Sequence, residues 1–197
     1  MTMRAEDNVL DHYQAMELAV SALLIDKGYF TAADMAGEID AMAKRTPEIG
    51  AAVVAQAWTD PDFKAQLLAD GTAACESIGL DMGPTRLMVV ESTDAVHNVI
   101  VCTLCSCFPR MLMGIPPDWY KSENYRSRVV REPRVVLQEF GTEPGEGVDV
   151  RVHDNTADMR YLVLPKRPDG TEGMSREELA KLVTRDSMIG VKIVEAP

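Results

Sequence analysis

Long apolar runs are missing from this chain. Nowhere does it hold the ~18 consecutive apolar residues that a membrane-crossing helix requires. Histidine is scarce, with His12, His97 and His153 widely separated, so no imidazole pair stands ready to ligate a metal. Aromatic residues make up only 6% of the 197 positions, and 20 basic residues face 31 acidic ones, leaving a net charge of −11. A chain so acidic lacks the basic face that draws in nucleic acid or an anionic membrane, and neither is expected as a partner. The first residues, Met1-Thr2-Met3-Arg4-Ala5-Glu6-Asp7, are polar with no apolar signal core behind them, so a cytoplasmic location is expected. Only four cysteines are present, too few and too bunched for a disulfide framework in a reducing compartment.

What is there divides into two characters. Up to about residue 80 the pattern is helical. Met16, Ala19, Val20, Leu23 and Leu24 recur at helical spacing between His12 and Lys27, and Gly28 stops the run. Thr31, with Asp34 three residues on, caps the next helix. Thr46-Pro47 and Asp60-Pro61 each restart a helix with proline at its first position, and the second is expected to run unbroken through Ile78 to Gly79. Cys75 reads there as a small buried apolar residue, and the 12 methionines read mostly as core filler. Beyond Asp81-Met82-Gly83-Pro84, Leu87 to Val90 and Val96 to Val101 read as strands, as do Val148 to His153 and Arg160 to Leu164. His97, in an apolar strand, reads as a hydrogen-bonded core residue. Helices are expected from Asp118 towards Phe140, interrupted at Pro133, and Ser175 with Glu178 forms a capping box. The expected fold class is α+β: a helical N-terminal part over 1–80, then a layered α/β domain over 81–197.

Lys121, Arg126, Arg128, Arg131 and Arg134 outweigh Glu123 and Glu132 and form a locally basic stretch. It reads first as a helix face paired with acids elsewhere, and otherwise as an interface or as support for a nearby anionic site.

Three of the four cysteines fall in Cys102-Thr103-Leu104-Cys105-Ser106-Cys107. A C-x-x-C pair alone could be half of a zinc site or a redox pair. The further cysteine two positions on permits different chemistry. Cys105-Ser106-Cys107 can wrap one ion through both thiolates and the main-chain nitrogens of Ser106 and Cys107, closing unstrained five- and six-membered rings. Cys102 can then turn back as an axial thiolate, leaving a sixth position open as catalysis requires. Deprotonated amides suit a small trivalent ion, so cobalt(III) or iron(III) fits better than zinc. Such a centre is anionic overall, needs positive or donor groups around it, and leaves its sulfurs open to oxygenation. Arg110 is close in sequence. Metal storage or redox sensing without catalysis is the rival from a different class; zinc in the site or a simple reversible disulfide would favour it.

Val101-Cys102-Thr103-Leu104-Cys105-Ser106-Cys107 resembles the metal claw of nitrile hydratase α subunits, and Thr103 resembles the cobalt version of that motif. The similarity continues through Ala57-Trp58-Thr59-Asp60-Pro61, Gly114 to Ser122, Tyr125 to Arg134, Arg160 to Pro165 and Gly170 to Ser175. The resemblance implies Cys102 as the unmodified axial ligand, Cys105 as a sulfinate and Cys107 as a sulfenate, with the Ser106 and Cys107 nitrogens on cobalt and iron as the lesser choice. It further implies catalytic roles for Cys105 and Cys107, a β-type partner subunit, a cobalt-loading activator protein and hydration of a small-molecule nitrile to its amide.

One place departs from the family pattern. Where relatives carry a pocket-lining Trp followed by Pro, this chain has Arg110 and Met111, with Leu112 next. These residues are expected at the substrate pocket, and a guanidinium there points to a polar, anionic or large substrate unless it faces a partner. Thiocyanate hydrolase, a relative using the same claw and carrying Arg at this place, is the alternative reading. The branch acting on the nucleoside antibiotic toyocamycin also fits.

Overall fold

The computed structural model describes residues 11–197. The polar N-terminus, expected to lack a signal core, lies outside the described residues. The chain forms two compact units, Met1–Ala43 and Lys44–Pro197.

In the first unit, α1 (His12–Asp26) starts at a capping box between Asp11 and Gln14. Helix α2 (Ala32–Ala43) starts where Asp34 accepts from both the N–H and the hydroxyl of Thr31. The expected apolar stripe of α1 exists but is not enclosed: Met16, Val20 and Leu23 are exposed. Two short helices have too little surface to surround a core of their own.

The second unit begins with α3 (Pro47–Thr59), α4 (Pro61–Ala69) and α5 (Gly71–Ser77). The unbroken helix expected from Pro61 to Gly79 is in fact two. Asp70 takes an extended backbone (φ −150°, ψ 96°), and its side chain accepts from the Ala73 N–H, so it ends one helix and caps the next. These helices share a core with the strands. The Trp58 indole N–H donates to the Pro165 carbonyl at 2.8 Å, and the Leu87 N–H donates to the Thr72 hydroxyl at 2.8 Å. Position 80 therefore lies inside this second unit.

Among the described residues, four strands form two parallel pairs. Strand β1 (Arg86–Glu91) runs beside β4 (Met159–Leu164), and β2 (Val96–Val101) beside β3 (Asp149–Asp154). Sequential β3 and β4 thus enter different ladders. Val99, Ile100 and Val101 are all fully buried, as expected of strands covered on both faces. Parallel pairing demands a long crossover. The one from β2 to β3 holds the cysteine cluster, then α6 (Arg110–Met113), α7 (Asp118–Lys121), α8 (Glu123–Arg128) and α9 (Pro133–Glu139). The chain closes with α10 (Arg176–Leu182), which has the expected Ser175–Glu178 capping box, and α11 (Arg185–Ile189), which the sequence pattern did not announce. The fold class is α+β, as expected.

Trp119 packs edge-on against Tyr125 (4.9 Å between ring centres) and tilted against Phe140 (4.7 Å), while Phe108 meets Tyr120 at 4.9 Å. The few aromatics of the chain are concentrated where the crossover leaves the cysteine cluster.

Candidate metal centre

Strand β2 delivers the chain into the cluster while its last residues are still buried, so Cys102 is only 1% exposed. The loop then turns back on itself. The Cys105 N–H donates to Cys102 Sγ at 3.2 Å, Cys102 Sγ and Cys105 Sγ lie 3.5 Å apart, and Cys105 Sγ and Cys107 Sγ 3.3 Å apart. All three sulfurs fall within 4.8 Å of one another, and among the described residues this is the one such group of three or more His, Cys, Asp or Glu ligand atoms. The donor set therefore fits a thiophilic ion. The cluster has no imidazole: His97 Nε2–H donates to the Gly190 carbonyl at 2.7 Å, and the His153 ring nitrogen faces Asn98 Oδ1 at 2.8 Å. Cys75 is fully buried in α5, away from the cluster.

Distant residues hold the loop in shape. Asp154, at the end of β3, accepts from the Thr103 N–H at 2.9 Å and from its hydroxyl at 2.5 Å. Arg126 donates to the Thr103 carbonyl at 3.3 Å, and its Nε is buried with no hydrogen-bond partner in the described residues. The buried Tyr120 hydroxyl donates to the Cys107 carbonyl at 3.0 Å and accepts from Asn155 Nδ2 at 2.8 Å. Asn155 is fixed in turn by its own N–H on the Val101 carbonyl (2.7 Å) and by the Tyr161 N–H on its Oδ1 (2.6 Å). The loop is therefore pinned from both sides by the strand β3 end and by α7.

Electrostatics differentiates the thiols. Cys105 is pulled down to about 7 by hydrogen bonds from the thiols of Cys107 and Cys102 and from the N–H groups of Cys107 and Ser106. Cys107 is pushed up to about 12 by burial and by its bond to Cys105, against the pull of the Arg160 charge. The two shifts are opposite in direction, so Cys105 is the thiol that ionises more readily. Burial, followed by the nearby Cys102, Cys107 and Asp154, raises Tyr120 strongly, which keeps its hydroxyl a donor.

The cysteines open onto a cleft of about 340 Å³ lined by Arg45, Met82, Phe108, Arg110, Met111 and Arg160, together with Cys105, Ser106 and Cys107. Of the three residues expected at a substrate pocket, Arg110 and Met111 line this cleft. Leu112 does not: it is 0% exposed within the core, because successive residues of α6 point a third of a turn apart. Sequence reasoning did not single out Arg45, Arg160, Asp154, Tyr120 or Asn155, since nothing local marks them. The basic stretch is largely committed within the chain: Arg128 pairs with Glu132 and Glu139, and Arg134 donates to the Pro144 carbonyl. Arg126 alone of it reaches the cluster.

The family model described as nitrile hydratase, alpha chain, matches residues 11–192. The chain is 47% identical to the cobalt-containing nitrile hydratase subunit alpha of Pseudonocardia thermophila, covering 98% of this chain and 96% of that one. It is 40% identical to the thiocyanate hydrolase subunit gamma of Thiobacillus thioparus, over 92% of this chain and 79% of the relative. Among solved structures, a double variant of the Fe-type nitrile hydratase from Comamonas testosteroni Ni1 matches with a TM-score of 0.86 and 46% identity, covering 95% of this chain and 94% of that one. The match runs through every element described here, the cysteine loop included: this chain belongs to the nitrile hydratase alpha-chain family.

Proposed function

We propose that this chain is the metal-bearing α subunit of a cobalt enzyme that hydrates a nitrile to its amide. The observation that carries the reading is the gathering of the Cys102, Cys105 and Cys107 sulfurs within 4.8 Å at the end of a buried strand, beside a cleft. Cys102, Cys105 and Cys107 would hold cobalt(III) with the main-chain nitrogens of Ser106 and Cys107. Cobalt over iron is supported by Thr103 and by the cobalt-containing relative. When bound, the ion supplies Lewis acidity that makes a nitrile carbon electrophilic.

The chain's own residues do the remaining work. Cys105 carries sulfinate oxygens and Cys107 a sulfenate oxygen. The oxygen that attacks the nitrile carbon belongs to a water held by the Cys107 sulfenate, or to the sulfenate itself, whose S–O bond then breaks and is restored from water. On either route one water is consumed, one oxygen appears as the amide carbonyl as the C≡N π bonds are given up, and the water's two protons end on the amide nitrogen. Asp154 and Tyr120 fix the two ends of the loop, so the donors need no reorganisation as charge develops. Arg110 and Met111 line the approach. Leu104, 89% exposed at the loop tip beside the exposed Cys105, supports a β-type partner subunit that closes the site. A cobalt-loading activator and a cytoplasmic location complete the proposal. No helix among the described residues is long and apolar enough to cross a membrane.

Hydrolysis of thiocyanate to carbonyl sulfide and ammonia is the second reading, favoured by Arg110 in the cleft and by the thiocyanate hydrolase relative. The test is to purify the chain anaerobically with its partner, then measure metal content and the mass of the cysteine peptide. Near-stoichiometric cobalt with two oxygens on Cys105 and one on Cys107 is expected. Amide from a nitrile panel, assayed beside carbonyl sulfide from thiocyanate, separates the readings. Zinc in the site, or a reversible disulfide without added oxygen, would overturn both.

A further inference from the structure

We infer that the substrate of this cleft carries a negative charge, and that Arg45 and Arg110 are the paired guanidinium groups that hold it. The inference rests on the reading of the cysteine loop as the reactive centre and adds the substrate class.

The chain as a whole is acidic, with a net charge of −11. The cleft reverses that sign: among the described residues its walls carry Arg45, Arg110 and Arg160 and no carboxylate. Several arginines elsewhere are engaged, Arg128 with Glu132 and Glu139, Arg151 with Asp149, and Arg167 with the Thr171 hydroxyl. Arg160 is engaged too, donating to the main-chain carbonyls of Thr156, Ala157 and Met159. The side chains of Arg45 and Arg110 form no ion pair among the described residues. Among the described residues, an acidic chain leaves these two cations without a carboxylate at the mouth of its cysteine cluster.

The backbone brings the two together. Helix α6, which begins at Arg110, ends at Gly114, where φ is +67°. An added Cβ at Gly114 would overlap the Arg45 carbonyl, so only glycine lets the end of α6 dock on the main chain at Arg45. Arg110 and Arg45 therefore flank one cleft from two separate segments. Of the three arginines, Arg160 is held against the main-chain carbonyls of Thr156, Ala157 and Met159, so the outer pair is left for a ligand. Guanidinium groups suit a compact oxyanion or pseudohalide, through paired N–H donors of fixed geometry. The fitting classes are a nitrile bearing a carboxylate and the thiocyanate anion, which share this charge.

The experiment compares cyanoacetate, propionitrile and thiocyanate as substrates of the cobalt-loaded complex, with calorimetric titration of cyanoacetate in parallel. Cyanoacetate should outperform propionitrile in kcat/KM, by a margin that shrinks as salt rises. Arg45→Gln and Arg110→Gln should each lower the ratio of the two kcat/KM values by about tenfold, mostly through KM, as loss of a charged hydrogen bond entails. The same losses on thiocyanate alone would identify that anion as the ligand and uphold the charge assignment. If no compound turns over, the reactive-centre reading fails, and cyanoacetate binding that weakens about tenfold in the variants still upholds the anion site. Absence of that binding, a preference for propionitrile untouched by the variants, or variants that only loosen the subunit complex would overturn it.

Discussion

Asp154 holds Thr103 twice, accepting the backbone N–H at 2.9 Å and the hydroxyl at 2.5 Å. Asp154 ends β3 and Thr103 lies two residues beyond the end of the adjacent parallel β2, so the ladder that pairs Val101 with Asp154 also sets the first turn of the cysteine loop. The relation explains how an exposed loop keeps three sulfurs converged without an internal cross-link.

Asp154→Asn should therefore act on the loop more than on the fold. The amide offers one acceptor oxygen where the carboxylate offers two, and it lacks the charge. Cobalt content per chain is expected to fall at least severalfold, while stability drops by about 1 kcal/mol. Metal analysis beside thermal unfolding checks it; full cobalt content in a folded variant would refute the positioning role.

Tyr120→Phe removes the donor to the Cys107 carbonyl and the acceptor for Asn155 Nδ2 together. Asn155 is buried, so its orphaned amide should cost roughly 1–3 kcal/mol. Denaturant unfolding measures the cost. The cysteine peptide of the variant should also carry less oxygen, because its sulfurs are less firmly held.

In the metal-free chain, Cys105 should be the first thiol alkylated. Its pKa of about 7 makes it half thiolate near neutrality, whereas burial pushes Cys75 up to about 12. Iodoacetamide labelling followed by peptide mapping should give a rate rising through pH 7 at Cys105 and none at Cys75 in the folded protein. Equal labelling of all four thiols would contradict the arrangement.

Gly114→Ala combines an unfavourable positive φ with overlap on the Arg45 carbonyl. A loss of about 3 kcal/mol is expected, since neither backbone can yield without moving α6. Calorimetric unfolding tests it, and a loss below about 1 kcal/mol would mean the two segments are not locked together.

His97 links stability to acid. Burial holds its pKa below the ordinary 6.5 while Nε2–H is spent on Gly190. The unfolded chain binds this proton more readily than the folded one, so the stability it contributes is complete above pH 6.5 and lost as pH falls through the lower, folded value. His97→Asn should flatten the decline of the melting temperature below pH 6.5 while lowering stability at neutral pH. A wild-type melting temperature that does not fall in that window would remove His97 as the cause.

The amino-acid order alone determined the features that depend on neighbours within a few residues. Cys102, Cys105 and Cys107 stand at spacings that close small rings, Asp11, Thr31 and Ser175 cap helices over three residues, and Val96 to Val101 can only be a buried strand. Tertiary structure decided what lies next to the cluster. Parallel pairing of β2 with β3 brought Asp154 and Asn155 to it, the crossover brought Tyr120 and Arg126, and the docking of Gly114 on Arg45 set a second cation beside Arg110. It also turned Leu112 inward and split the helix at Asp70. The reason is one of range: ring closure and capping are settled by covalent geometry over a few bonds, whereas partners fifty positions apart meet only once strand register and the burial of side chains have fixed where each segment runs.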